Sequence, residues 1–386
     1  MLILGISAFY HDSAVALIKD GVIIFAAQEE RFSRKKHDSN FPIKSIQACL
    51  AYSNLNINQI DFFSFYEKPT LKLFRIIDTY LSFSPRGYKS FHEAFSVWTK
   101  KKLFQKSIII NELEKLGLRK DIKNKLLFSE HHISHAASAY FPSSFNNSVT
   151  LTMDGVGEYA TSSVGLGIQN KLILDKEMHF PHSLGLLYSA FTNFCGFKVN
   201  SGEYKLMGLA PYGKPIYKSK ILNNLLDLKK DGSFRLNMKY FDFCTGFKMI
   251  NSNFCDLFKM SPRKNSEKIN TKTLDIAASI QIILEDIVIK TVKTLRKEYK
   301  SKNLSLAGGV ALNCVSNGRL IKEGGFENIW VQPASGDAGG ALGCALFSYH
   351  HILNYNKKVY KNNDNMNNSY LGPSYKNPEV KRVLDN

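Results

Sequence analysis

Two histidines four residues apart, His131 and His135, precede an apolar run over 149–153 that ends on Asp154 and Gly155. If Ser129 caps a helix, positions i and i+4 project from one face, so both imidazoles reach one ion while His132 points about 100° away. That spacing makes a bidentate metal clip. A strand ending in Asp-Gly-x-Gly adds a carboxylate from Asp154 and backbone amides around Gly155 and Gly157 that can approach a phosphate. The same residues also read as an accidental pair among ten histidines and a turn-forming Asp, and their spacing alone leaves both readings open.

Two later stretches have the same character. Residues 304–314, LSLAGGVALNC, run a strand into Gly308 and Gly309, where a flat or anionic ligand can lie against backbone amides at a helix start. Residues 329–344, IWVQPASGDAGGALGC, run a strand through a tight turn into a small-residue helix with Asp337 at its mouth. Asp337 is either a second metal carboxylate or a helix cap.

The elements that must position these groups follow a repeated plan. Residues 2–8, 14–18 and 22–27 read as a three-strand meander with a Lys19-Asp20-Gly21 turn, then 43–53 as a helix and 60–65 as a strand. Residues 149–153, 161–168 and 171–174 repeat the strands, again with an acidic residue at the tip of the first. The expected fold is α/β: a duplicated ribonuclease-H-like domain, the two-lobed actin, sugar-kinase and Hsp70 superfold, with a helical insertion. Lobe I is expected over 1–145, with the insertion over 67–128 including a helix over 106–127, and lobe II over 146–353. A long amphipathic helix over 273–299 supplies core with Ile276, Ile280, Ile283, Leu284, Ile287, Val288, Val292 and Leu295. Residues 354–369 read as an Asn-rich linker, and 370–386 as the opening of a further domain.

Composition sets outer bounds. The chain has 386 residues, 44% of them hydrophobic, enough for two core-bearing lobes. Six cysteines without a CxxC pair suit reduced thiols in a cytoplasm better than a disulfide framework. No apolar run reaches membrane-spanning length, and no basic n-region opens the chain. The formal net charge of +18 raises nucleic acid as a partner, but the basic residues are scattered and anionic small substrates suffice.

Seven ordered blocks carry a resemblance: GISAFYHDSAVAL (5–17), QEERFSRKKHD (28–38), HHISHAASAY (131–140), MDGVGE (153–158), SGEYKLMGLAPYG (201–213), LAGGVALNC (306–314) and SGDAGGALG (335–343). Together they resemble the O-carbamoyltransferases that carbamoylate nodulation factors, cephem antibiotics and aminoglycosides; the tRNA threonylcarbamoyl-transfer proteins share the fold and the paired histidines. The resemblance implies a carbamoyl-adenylate, made from carbamoyl phosphate and ATP, and a divalent metal, iron(II) foremost with manganese or zinc as alternatives. It implies His131, His135, Asp154 and Asp337 as ligands, adenosine by Gly308, Gly309 and Asn313, and phosphate by Gly155, Gly157 and Lys205. It also implies a transfer role for His11 beside Asp12, whose bland alternative is to hydrogen-bond the turn. Glu29, Glu30, Arg31, Lys35 and Lys36 read equally as a solvated turn or as acceptor contacts. Family members continue into a synthase-like domain of which only residues 370–386 stand here, so adenylate synthesis is expected from a partner in trans. A tRNA threonylcarbamoyl transferase and a non-catalytic nucleotide-binding subunit are the competing expectations, and the acceptor is not legible.

Overall fold

The computed structural model describes residues 1–98, 104–358 and 364–385; residues 99–103 of the expected insertion, 359–363 of the expected linker and residue 386 lie outside it. In the first sheet, β1 (Leu2–Ser7), β2 (Ala14–Lys19) and β3 (Val22–Gln28) form an antiparallel meander. β4 (Phe62–Phe65) and β5 (Leu126–Phe128) extend it in parallel on the other side of β1, giving the order β3-β2-β1-β4-β5. The second sheet repeats the plan: β6 (Asn147–Met153), β7 (Ala160–Ile168) and β8 (Lys171–His179) form the meander. A small hairpin, β9 (Leu226–Leu228) with β10 (Phe234–Leu236), stands apart. β11 (Asn303–Ala307) and β12 (Asn328–Val331) then complete the order β12-β11-β6-β7-β8. One strand order drawn twice is the duplication expected from the sequence.

β1 and β2 read LILGIS and AVALIK, apolar on both faces, because both faces are covered. The two-residue turn between β2 and β3 puts Asp20 and Gly21 at φ 51° and 80°, the left-handed pair that matches strand twist and that Asp-Gly supplies at least strain. The helix Thr271–Glu298 buries all eight apolar positions expected of it, each contributing about 1.5–3 kcal/mol over an exposed side chain.

Between the two sheets lie two helices, His131–Tyr140 and Asp337–Phe347, whose residues share one core cluster with side chains of β1 and β2. Small residues permit the approach. A Cβ on Gly343 would fall 1.7 Å from the Ser134 carbonyl oxygen, and one on Gly5 would fall 1.9 Å from that of Ala341. The site is therefore set by backbone-to-backbone contact.

Three local expectations change. The helix expected over 106–127 is Gln105–Lys115, and its last residues instead form β5, an edge strand too short to show an alternation. The chain after Gly308 makes a 3-10 turn, Gly309–Leu312, before the helix Cys314–Glu323 begins. Residues 364–371, spanning the end of the expected Asn-rich linker and the start of the expected further domain, lie against the rest of the chain: Met366 and Leu371 are buried, Asn365 N donates to Pro142 O at 2.7 Å, and Ala26 N to Leu371 O at 2.9 Å. Polar composition did not reveal two apolar anchors. All six cysteines are free, and no described helix is long and apolar enough to cross a membrane.

Candidate active site

The helix His131–Tyr140 places His131 and His135 on one face, as their spacing requires, with Nε2 atoms 3.0 Å apart. Asp154, at the end of β6, sets Oδ2 3.0 Å from His131 Nε2 and 3.6 Å from His135 Nε2. Asp337 brings Oδ1 to 3.6 Å from each ring. Two ligand atoms bound at about 2.1 Å to one ion and at right angles stand about 3 Å apart, so these separations fit a shared divalent centre. All four residues offer atoms within 4.8 Å of one another. Asp337 is not the helix cap: it is the first helical residue, it follows Gly336, and no side-chain cap bond is made. Its Oδ2, His131 Nδ1 and His135 Nδ1 are buried without a hydrogen-bond partner. His132 turns away as expected, with Nδ1 2.8 Å from Thr152 Oγ1 and 3.0 Å from Ser163 Oγ.

The electrostatics follow from burial and convergence. Burial favours the neutral form of His135, yet Asp154 and Asp337 outweigh it and push the ring up to about 9. Burial likewise opposes the charge on Asp337, but His11, His131 and His135 hold the carboxyl down at about 2. Asp154 is held well below the usual range, against burial, by the His131 and His135 rings. His132, buried without a carboxylate in contact, is pushed well below the ordinary imidazole value. The site is built for two carboxylates kept ionised out of water, a costly arrangement that a bound cation compensates.

Ser129 does not cap the helix. Its hydroxyl lies 2.8 Å from Ser134 Oγ, and Glu130 occupies the cap position without a side-chain bond. The capping carboxylate comes from Glu158, which accepts from His131 N at 2.9 Å and Lys68 N at 2.8 Å. Gly157 packs under the rings, where a Cβ would meet His132 Cδ2 at 2.9 Å, and its carbonyl accepts from Arg75 Nη1 at 2.6 Å. Sequence reasoning gave Glu158 no role, although MDGVGE contains it, because a cap 27 residues away in sequence carries no local signal.

A cavity of about 300 Å³ opens beside the cluster, lined by His11, Asp12, Asp154, Gly155, Gly309, Asn313 and Asp337 among the expected residues. Lys36, read from sequence as a solvated turn residue or an acceptor contact, also lines it, and Tyr10, His37, Tyr188 and Glu203 line it without having been singled out. Gly308 lies behind it at φ 89°, where its Cα approaches Met153 so closely that a Cβ would fall 2.2 Å from the Met153 carbonyl oxygen. Gly309 N donates to Asp154 Oδ1 at 3.1 Å, tying the glycine turn to the cluster. Asn313 caps the helix Cys314–Glu323 through Ser316 N and exchanges bonds with Gln281. Lys205 does not line the cavity; it is exposed, with Nζ 5.9 Å from the Tyr204 ring centroid. Lys36 lies 5.5 Å from the same ring. Of the 28–38 block, Glu29 is buried and accepts from Lys44 N, Ser45 N and Ser45 Oγ. Its role is to cap the helix Ile43–Ser53.

His11 stands over the cluster with Nε2 3.7 Å from Asp337 Oδ2 and Nδ1 2.9 Å from Asp12 Oδ2. Burial lowers its basicity, but Asp337 and Asp12 outweigh that and push it up to about 9. A larger cavity, about 560 Å³, lies against β2, β3 and residues 366–375; of the charged groups only Arg31 lines it, and it contains none of the cluster.

Two sheets of one strand order, with an imidazole-carboxylate cluster and a cavity between them, define a duplicated, two-lobed α/β protein. Within that class the chain belongs to the carbamoyltransferase family, whose N-terminal model, described as Carbamoyltransferase N-terminus, matches residues 2–346. It is 54% identical over 386 residues to an uncharacterized protein of Synechocystis, covering 99% of this chain and 62% of that protein. It is 35% identical over 344 residues to nodulation protein NolNO of Sinorhizobium fredii, covering 88% of this chain and 46% of that protein. The chain thus spans about half to three fifths of the length of these relatives. Among solved structures, full-length HypF in its phosphate- and nucleotide-bound form is similar at a TM-score of 0.47 and 13% identity, over 92% of this chain and 56% of that one.

Proposed function

We propose that this chain performs the transfer step of an O-carbamoyltransferase, moving a carbamoyl group from carbamoyl-adenylate to a hydroxyl of a small molecule or glycan. The observation that carries the reading is the convergence of His131, His135, Asp154 and Asp337 at the wall of a cavity that His11 also faces. Two of the relatives are named nodulation proteins, which favours an acceptor of the nodulation-factor kind.

The chemistry needs little from the protein beyond placement and charge. The acceptor oxygen attacks the carbamoyl carbon, the bond from that carbon to the phosphate oxygen breaks, and AMP departs with the electron pair. A cation held by the cluster would offset the Asp337 charge that raises His11, and the neutral ring would then take the hydroxyl proton at Nε2 while Asp12 at Nδ1 fixes the ring and balances its charge. Lys36 lines the cavity and Lys205 does not, so Lys36 is the better placed ammonium for the phosphate. Gly155 and Gly309 let backbone approach the adenylate without a side chain between. His131, His135, Asp154 and Asp337 would hold a divalent ion, iron(II) foremost with manganese or zinc as alternatives, which would supply positive charge against the negative charge developing on the phosphate. ATP and carbamoyl phosphate enter only upstream, where the adenylate is made.

The test supplies carbamoyl-adenylate and chitotetraose to the metal-loaded chain and follows AMP and carbamoylated sugar. Transfer is expected from the parent and not from the His131→Ala, His135→Ala double variant, whose metal affinity should fall by more than about 100-fold. Equal transfer by the double variant would sink the reading.

A further inference from the structure

The turn between β1 and β2 meets the segment after β3 in an arrangement that the metal cluster does not explain. Asp12 accepts from two imidazoles at once: His11 Nδ1 at 2.9 Å on Oδ2, and His37 Nδ1 at 2.7 Å on Oδ1. The two segments are joined by backbone bonds, Phe9 N to Ser39 O and Ser13 N to Asp38 O, both 2.9 Å. The His37 amide donates to Glu30 Oε2 at 2.8 Å. Asp12 and His37 both adopt left-handed backbone, φ 54° and 55°. That region is disfavoured for residues with side chains and persists where the surroundings over-determine it.

The geometry has a consequence for His11. With Nδ1 donating to Asp12, its lone pair sits on Nε2, the atom facing the cluster 3.7 Å from Asp337 Oδ2. An Asp12 carboxylate held on one oxygen alone could rotate and release that ring; held on both, it cannot. His37 supplies the second hold, and its own Nε2 is buried without a hydrogen-bond partner, so Asp12 is its ring's one polar engagement among the described residues.

We infer that His37 is a positioning residue for the transfer: it pins the Asp12 carboxylate, which holds His11 with Nε2 directed into the cavity. The inference rests on the proposed role of His11. A competing account is a second ion, because Asp12, Glu30 and His37 offer atoms within 4.8 Å of one another. Against it, all three groups are only half-buried, and Glu30 Oε2 is already held by the His37 amide.

The test uses the metal-loaded full chain with carbamoyl-adenylate and two nucleophiles. Chitotetraose must lose a hydroxyl proton on attack, whereas hydroxylamine is already a free nucleophile at neutral pH and yields hydroxyurea with release of AMP. The ratio of carbamoylated sugar to hydroxyurea reports base placement separately from adenylate binding. His37→Ala should lower that ratio about tenfold or more. His37→Asn, whose amide N–H stands near the position of Nδ1–H, should restore most of it, and His37→Gln, whose amide reaches further, should not. Equal ratios in parent and His37→Ala, or equal behaviour of the Asn and Gln variants, would overturn the inference. His11→Ala separates the two claims. If it keeps the parental ratio, the role of His11 itself fails; if it loses the ratio while His37→Ala keeps it, only the role of His37 fails. Ring ¹⁵N resonances of histidine-labelled protein, with His11 identified by the signal lost in His11→Gln, give an arm independent of turnover. Read in the metal-loaded protein at a pH where the ring is neutral, the Nδ1–H form of His11 should dominate in the parent and be lost in His37→Ala, and an unchanged tautomer would overturn the inference. So would loss of one of two bound metal equivalents in His37→Ala, which would make His37 a ligand.

Discussion

At the scale of residues, the site is a set of side chains whose partners come from elsewhere in the chain. Glu158 is the clearest case. It receives the amides of His131 and Lys68, so one carboxylate fixes both the start of the helix His131–Tyr140 and the entry to the helix Pro69–Phe83. Glu158→Ala leaves two donors without their acceptor and removes an anion from a helix N-terminus. We expect it to cost about 1–3 kcal/mol in urea unfolding and to weaken metal binding measured by competition with a chelator. Unchanged affinity would mean that the packing around Gly157 alone holds His131. The spacing of His131 and His135 was legible in the sequence because i and i+4 share a helix face. Glu158 and His37 were not, because their work is done across 27 and 25 residues.

At the scale of elements, two helices pressed between two sheets set the ligand positions. Gly343→Ala pushes a methyl into the Ser134 carbonyl, one residue before His135 and on the same helix. The backbones must part, costing about 3 kcal/mol or more and lowering metal affinity, read by thermal denaturation with and without metal. A melting point within a degree of the parent would show that the helix pair adapts. His350, in the turn that follows the helix Asp337–Phe347, gives a pH dependence distant from the ligands. It is 3% exposed, stacks on Phe141 at 4.7 Å and donates from Nδ1 to Tyr355 O at 3.0 Å. Burial holds its folded pKa down at about 4, against 6.5 when free, so the unfolded chain binds more protons between those values. Stability should therefore fall as pH drops from about 6.5 to about 4, by up to about 3 kcal/mol. His350→Phe should flatten that slope in urea titrations at pH 5 and 7; an identical slope would assign the acid sensitivity to other groups.

At the scale of the molecule, the four proposed ligands come from both halves: His131 and His135 on the helix that follows the first sheet, Asp154 and Asp337 from the second sheet and the helix after it. An ion held there would couple the two. Chelation should lower the thermal midpoint, because anything bound only by the folded state stabilises it, by about 2.7 kcal/mol at one hundred times its dissociation constant. Calorimetry with and without chelator checks this, and superimposable traces would mean that the ion contributes nothing to holding the lobes together.

The sequence by itself determined the duplicated plan of strands, the long core helix, the paired histidines and the two carboxylates at strand and helix ends. Each of these is written in local periodicity, in turn chemistry or in short ordered blocks. Only the tertiary structure decided that Asp337 faces the histidines instead of capping its helix, that Lys36 and not Lys205 lines the cavity, and that His37 shares Asp12 with His11. Those outcomes depend on which backbones approach within van der Waals contact, as at Gly5 and Gly343, and such contacts join residues hundreds of positions apart that leave no periodic trace along the chain.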